Sequence, residues 1–324
     1  NVPIARSQGL PSINTTGGYN NSLFNTGSNV ASPDRQLTAG VELGVPVFQG
    51  GAVRNSVRAA ETRVEAGQMG LRGTESDLFT AVVGAYMDVI RDEAIVSLNQ
   101  KNVAVLNTNL RASRDRFEVG DLTRTDVAQS EARLAGARAQ LQQAEARLIT
   151  SKENYVRLVG DAPGDLKDPP PLPNLPDASD QAVNVAIENN PTLLSARRSS
   201  DATRYDIGVA KAGRLPQVSV VVGGNYYNYL GSLSTGTGPK PGQDGLGGSA
   251  GVALRLPLFQ GGRVGAQVRQ AEARRAAAIE TATATERQVI ANTRAAFAIY
   301  RSSQQVITSS EAAVQANRLS LEGV

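Results

Sequence analysis

Most of the side chains that do covalent chemistry are missing from this protein. Its 324 residues include no His, no Cys and no Trp. That removes thiolate and imidazole metal ligands, Ser-His and Cys-His nucleophile pairs, and histidine acid/base catalysis together. An enzyme built on this chain would have to run on Asp, Glu, Lys, Tyr or Ser alone, and no catalytic, cofactor-binding or metal-ligating residue is assigned. Gly50-Gly51 could in principle cradle a phosphate, but neither a Gly-x-Gly spacing nor a Lys follows, as a phosphate loop requires. The 33 basic and 30 acidic residues leave a net charge of +3, too even for a nucleic-acid footprint. The polar residues with a legible local task lie in RFEVGDLTRTDV. Gly120 suits the left-handed position that ends a helix, and Thr123 with Asp126 three residues on is a T-x-x-D variant of the capping box that starts the next. Arg111, Arg114 and Arg116 make a basic collar beside this reversal. The available chemistry is that of turns, caps and surfaces, so function must come from the elements that carry them.

Those elements are written twice. VPVFQGG, residues 45–51, returns as LPLFQGG, residues 256–262, displaced by 211 residues (45 to 256). The same displacement pairs Val53 with Val264, Val57 with Val268, Arg58 with Arg269, Glu61 with Glu272 and Tyr86 with Phe297. Upstream, LPSINTTGGY and LPQVSVVVGGNY align at a displacement of 205 (10 to 215), so the second copy holds a longer loop, and loops absorb length. Each copy is far longer than a solenoid repeat of about 20–50 residues. The chain reads as a duplicated domain.

Within each copy the hydrophobic period switches. Leu37, Ala39, Val41, Leu43, Val45 and Val47 alternate with polar or Gly positions, as do Ala250, Val252, Leu254, Leu256 and Leu258 in the second copy, predicting strands with one apolar face. Partner strands at 10–20 and 215–229 give two hairpins, closed by polar loops at 23–35 and 231–248. After each Gly-Gly the period becomes helical. Val53, Val57, Ala60, Val64, Gly67, Leu71, Thr74, Leu78, Val82, Ala85 and Val89 step by three and four with one stutter, and the seam resumes from Val103 to Phe117. A helix over 52–118 would be about 100 Å long at ~1.5 Å per residue. The return helix carries its own seam from Val127 to Leu158. The first repeat is thus 1–160: strand hairpin 10–48, long helix 52–118, tip 119–126 and return helix 127–160. A Pro-rich connector occupies 161–190. The second repeat, 191–324, holds a helix over 191–213 opened by Asn190 and Pro191, a strand hairpin over 215–259 and a long helix over 263–324.

No run of 18 apolar residues exists, so no transmembrane helix is expected. The start, NVPIARSQGLPS, has neither a basic nor an apolar signal region, so an exported chain is expected to have lost its signal peptide before Asn1. The absence of Cys fits an oxidising compartment. Each amphipathic strand is long enough to cross a bilayer at about 9–11 residues, while a two-stranded hairpin is not stable alone in water. One chain offers four strands and a closed barrel needs at least about eight. The chain must therefore pool strands with copies of itself, or else the strands pack against something globular that the sequence does not supply. Tyr19, Tyr226, Tyr227 and Tyr229 at the loop ends, and Phe48 and Phe259 at the helix ends, suit two aromatic girdles.

The order strand, strand, Pro-Val-Phe-Gln-Gly-Gly, long helix, RFEVG-x-x-T-x-T-D-V-x-x-x-E-A-R-L, Pro-rich connector, Asn-Asn-Pro helix, then the same again, resembles the TolC family of outer-membrane channel-tunnels across essentially the whole chain. The tip wording resembles the type I secretion branch. The resemblance implies an α+β fold. In it an outer-membrane β-barrel, four strands per protomer and 12-stranded in a homotrimer, continues into a long antiparallel α-helical coiled-coil barrel in the periplasm of a Gram-negative bacterium. It implies a passive duct without cofactor, carrying unfolded protein from an inner-membrane ABC transporter and a periplasmic adaptor. Pro46, Gly50, Gly51, Pro257, Gly261 and Gly262 become strand-to-helix transitions, since glycine permits the change in backbone direction. Val41, Leu43, Val252 and Leu254 are expected to face outer-membrane lipid, and Thr38, Gly40 and Gly251 the lumen. The adaptor is expected at the tip, on Val119, Gly120, Leu122, Thr123, Arg124 and Asp126, with Val119, Leu122 and Arg124 exposed. Asp121 departs from the apolar residue many members carry there. A second tip is expected beyond Val324. The alternatives are the outer-membrane component of a drug or metal efflux pump with a proton-driven partner, a self-assembling extracellular filament protein, and the periplasmic adaptor itself. The dyad alternation beside Gly-Gly speaks against a filament, and two copies without lipoyl halves speak against the adaptor.

Overall fold

The structure is a computed structural model describing residues 1–23, 33–170, 173–233 and 242–322. Expectations for the loop residues 24–32 and 234–241, for residues 171–172 and for the last two residues of the second long helix lie outside the described residues. In chain order the elements are α1 (Val2–Ser7), β1 (Ser12–Asn21), β2 (Arg35–Gln49), α2 (Ala52–Glu118), α3 (Arg124–Val159), α4 (Ser179–Asn189), α5 (Pro191–Ala212), β3 (Gln217–Asn228), β4 (Asp244–Arg255) and α6 (Arg263–Glu322). They form two compact units, residues 1–70 with 178–324, and residues 71–177.

The first unit holds the sheet. Four antiparallel strands lie in the order β1-β2-β3-β4, so the two hairpins of the duplicated domain join through β2 and β3. β2 alternates as expected up to Val45. There the ladder shifts: Pro46 pairs with Ser219 and Phe48 with Val218, leaving Val47 in a bulge. Pro46 has no N–H to donate to the ladder, and an interior strand tolerates Pro only at such an irregularity. Val47 therefore leaves the apolar alternation and Phe48 takes its place. In the second copy β4 ends at Arg255, short of the expected 259, because it is an edge strand among the described residues and its ladder with β3 ends where Arg255 meets Gln217. It also begins at Asp244, inside the expected loop, since Gly245, Gly247 and Gly248 can lie flat against β3.

Helices pack below the sheet within this unit. α5 lies against α6 and against the first turns of α2. Its contacts are close because small residues line them. Gly208 leaves room for the Asn55 side chain, which would stand 2.7 Å from a Cβ there, and Ser195 Oγ donates to the Ala66 carbonyl at 2.9 Å. Leu193, Ala202, Val264, Val268 and Ala271 form the buried layer. α4 also packs on α6. The expected connector over 161–190 thus holds a helix at its end, anchored by buried Val183.

The second unit is a helical hairpin made by residues 71–118 of α2 with α3. Its seam does not pause between Val89 and Val103: Val89, Asp92, Val96, Asn99, Val103, Leu106, Leu110 and Ser113 continue the three-and-four stepping and are buried or half-buried. Against it α3 buries Leu134, Ala137 and Ala144. Asp92 and Asn99 hid this continuity because they are polar. Asn99 gives its amide to the Ile95 carbonyl at 2.9 Å, and Asp92 accepts from Arg91 Nε at 2.9 Å and from Ser151 Oγ on α3. Tyr86 fixes the start of the connector, since its hydroxyl donates to the Lys167 carbonyl and accepts from the Lys167 N–H at 2.8 Å.

Candidate functional site

Residues directly opposite in an antiparallel ladder point to one side of the sheet, so the register sorts every strand residue onto one of two faces. One face carries Ile13, Leu37, Ala39, Val41, Leu43, Val45 and Phe48 from the first hairpin. It continues through Val218, Val220, Val222, Ala250, Val252 and Leu254 in the second. The other carries Asn14, Thr16, Gln36, Thr38, Gly40, Glu42, Asn225, Ser249, Gly251 and Arg255. Val41, Leu43, Val252 and Leu254 thus share the apolar side, and Thr38, Gly40 and Gly251 share the polar one. Among the described residues of the unit, the apolar face is left open: Val41, Val252 and Leu254 are exposed and Leu43 is half-exposed.

The tyrosines divide between the faces instead of forming one girdle. Tyr19 and Tyr226 stand on the apolar side, opposite Leu37 and Ala39. Tyr227 stands on the polar side opposite Thr38. Its ring lies over Gly245, where a Cβ would meet the phenol oxygen at 2.5 Å, and against Tyr229 at 5.1 Å between centroids.

The two Gly-Gly turns have nearly the same backbone. Gly50 and Gly51 have φ of 61° and 80°, and Gly261 and Gly262 have 57° and 79°, all in the left-handed region that side chains resist. Gly51 and Gly262 offer their carbonyls to the first amides of α2 and α6, Asn55 N–H at 3.1 Å and Ala266 N–H at 3.0 Å. Pro46 precedes the first turn from within the bulge, and Pro257 the second from irregular chain past β4. Their surroundings differ: a Cβ on Gly50 would stand 2.8 Å from Leu215 Cβ, whereas one on Gly261 would meet nothing among the described residues.

The tip of the hairpin is a tight reversal. Gly120, at φ 84°, donates to the Phe117 carbonyl at 3.0 Å and Asp121 N–H to the Arg116 carbonyl at 2.9 Å, the paired bonds of a Schellman motif. Thr123 and Asp126 form a reciprocal capping box: Asp126 N–H donates to Thr123 Oγ1 at 3.3 Å and Thr123 N–H to Asp126 Oδ2 at 2.9 Å. The box starts α3 at Arg124, ahead of the expected 127. The Thr123 hydroxyl, then its backbone, hold the Asp126 carboxyl below its ordinary pKa. Val119 and Arg124 are exposed, but Leu122 is half-buried, against expectation. The basic collar is largely neutralised, Arg114 by Glu131 at 2.7 Å and Arg116 by Asp121 at 2.7 Å. Asp121 thus has a local partner for its charge.

The sequence matches the family described as "Outer membrane efflux protein" over residues 1–161 and 182–322. It is 32% identical over 325 residues to "Outer membrane efflux protein BepC" of Brucella suis biovar 1 (strain 1330), an alignment covering 100% of this chain and 69% of that one. It is 28% identical over 207 residues to "Alkaline protease secretion protein AprF" of Pseudomonas aeruginosa, covering 62% of this chain and 42% of that one. Among solved structures, the outer membrane protein VceC from Vibrio cholerae superposes with a TM-score of 0.77 at 22% identity, over 97% of this chain and 75% of that one.

Proposed function

The chain belongs to the outer membrane efflux protein family, outer-membrane transport channels rather than enzymes, and from that premise we propose that it is the passive export duct of a type I secretion system. An inner-membrane ABC transporter and a periplasmic adaptor supply the energy and the unfolded protein cargo. The observation that carries this reading is a largely apolar face that spans four strands, in a sheet whose β1 and β4 have no further strand beside them among the described residues. Open edges invite another strand, and at least about eight strands are needed to close a barrel. Three copies, pooling four strands each, close a twelve-stranded barrel with Val41, Leu43, Val252 and Leu254 toward lipid and the Thr38 face toward the lumen. The adaptor meets the tip from Val119 to Asp126.

Likeness to a protease secretion protein supports protein cargo. Likeness across the whole chain to an efflux protein supports a second reading, the duct of a drug or metal efflux pump with a proton-driven partner. Family membership leaves no place for the filament or the adaptor. A strain lacking the protein, complemented with wild type or with Val119→Ser plus Arg124→Ser, separates the two ducts. Loss of a secreted protein from the medium with unchanged drug and metal susceptibility is the expected result. Raised susceptibility with normal secretion replaces it by efflux. The double variant should fail like the deletion while still inserting in the outer membrane, and wild-type export would reduce the tip to a turn.

A further inference from the structure

Positive charge is concentrated where α5 ends and α6 begins. Residues 204–214 and 263–275 hold seven basic residues against two acidic ones, in a chain that carries 33 against 30. One of those acids, Asp206, is committed to Arg63. Arg214 and Arg269 converge: a guanidinium nitrogen of each lies 3.6 Å from the point where a Gly265 Cβ would stand, so the two nitrogens are within twice that distance. Arg263 lines the same groove as Arg214 and donates to the Gln260 side-chain oxygen at 2.8 Å. Among the described residues none of these three arginines makes an ion pair. Converging like charges repel, and Arg263 stands in the first turn of α6, the end of a helix that disfavours a cation. An anion in the groove relieves both costs.

The groove's other wall is apolar. Leu258 and Phe259 line it and are each 89% exposed. Phe259 holds in the second copy the place of Phe48, which stands on the apolar face opposite Val218. The equivalent place in the first copy, where a partner strand is present, stays partly open. There Gly50 is covered by Leu215, yet Val47 remains 64% exposed and Arg54 is exposed too. We propose that Arg214, Arg263 and Arg269 bind the phosphate of an anionic phospholipid in the inner leaflet of the outer membrane, its acyl chain lying on Leu258 and Phe259. Guanidinium forks match phosphate oxygens, and an aromatic ring is at home at headgroup depth. The site rests on the barrel reading above.

Native mass spectrometry of the full-length protein in detergent, titrated with phosphatidylglycerol or phosphatidylcholine, tests it. Wild type should retain phosphatidylglycerol about tenfold better. R214Q/R269Q should lose that preference, while R301Q/R318Q, the same charge change elsewhere on α6, keeps it. An unchanged preference in R214Q/R269Q, or its loss in both double variants, overturns the proposal. So does displacement of the lipid by an equal concentration of glycerol 3-phosphate, which would mark a site for free phosphate. Insertion into phosphatidylcholine vesicles is measured in parallel. Insertion without lipid preference removes the site alone, and failure to insert removes the barrel reading and the site together.

Discussion

Asp92 brings a carboxylate into a seam that otherwise excludes charge, and at 4% exposure it is the one buried charged residue among those described. Its tolerance there is local. Hydrogen bonding from Arg91, then from Ser151, holds its pKa below the ordinary value despite the opposing effect of burial. Replacing Asp92 with Ala leaves the Ser151 hydroxyl without this partner, a change that costs about 1–3 kcal/mol when such a group stays buried. The charge itself is read by pH. Because folding lowers this pKa, the contribution is complete above about pH 4, the ordinary carboxylate range, and drains away as pH falls through the lower folded value. Helix unfolding followed by circular dichroism should therefore show wild type more stable than D92N at neutral pH, with the gap closing in acid. A gap that stays constant with pH would assign the effect to packing and remove the charge from it.

At the scale of elements, the capping box makes a sharper claim than the length of the helix it starts. Thr123→Ala removes the acceptor for Asp126 N–H and the hydroxyl that bonds its carboxylate. Amide exchange in the first turn of α3 should speed up, and the Asp126 carboxyl should titrate nearer the usual carboxylate range. Unchanged exchange would mean that the Schellman bonds at Gly120 hold the reversal alone. The box was legible in sequence because its chemistry is local, four residues long and independent of what packs nearby. The helical seams and the strand alternation were legible for the same reason, each being a short period set by backbone geometry. What could not be read depended on partners distant in sequence. Val47 leaves the apolar alternation because the ladder with β3 shifts between Pro46 and Phe48, and Tyr227 sits on the polar face because the ladder sets it opposite Thr38. Asp92 belongs to the seam because Ser151 answers it from α3. α4 was masked by the prolines before it, and its buried Val183 makes sense only against the rest of its unit.

At the scale of the whole molecule, the duplication predicts what the next copy must touch. Inside one chain the first Gly-Gly turn packs on the second copy's helix-to-strand junction: a Cβ on Gly50 would meet Leu215 Cβ at 2.8 Å and the Ala212 carbonyl at 2.9 Å. The second turn has the same backbone but nothing against Gly261 among the described residues. The displacement of 205 residues that relates the junctions carries Leu215 to Leu10 and Ala212 to Ser7, and both of these are exposed. If three copies close a ring, Gly261 of each must receive Leu10 and Ser7 of its neighbour, as Gly50 receives Leu215 and Ala212 within the chain. Gly50→Ala and Gly261→Ala then act at different levels. Both force a side chain into the left-handed region at about 1–2 kcal/mol, but only Gly50→Ala meets a neighbour inside the protomer. The expected outcome is that G50A lowers the unfolding midpoint of the separated protomer more than G261A does. G261A should instead move the trimer-to-monomer balance, measured by mass in detergent, toward monomer. Wild-type assembly of G261A would show that the second turn meets no neighbour, and the twelve-stranded ring would need another register.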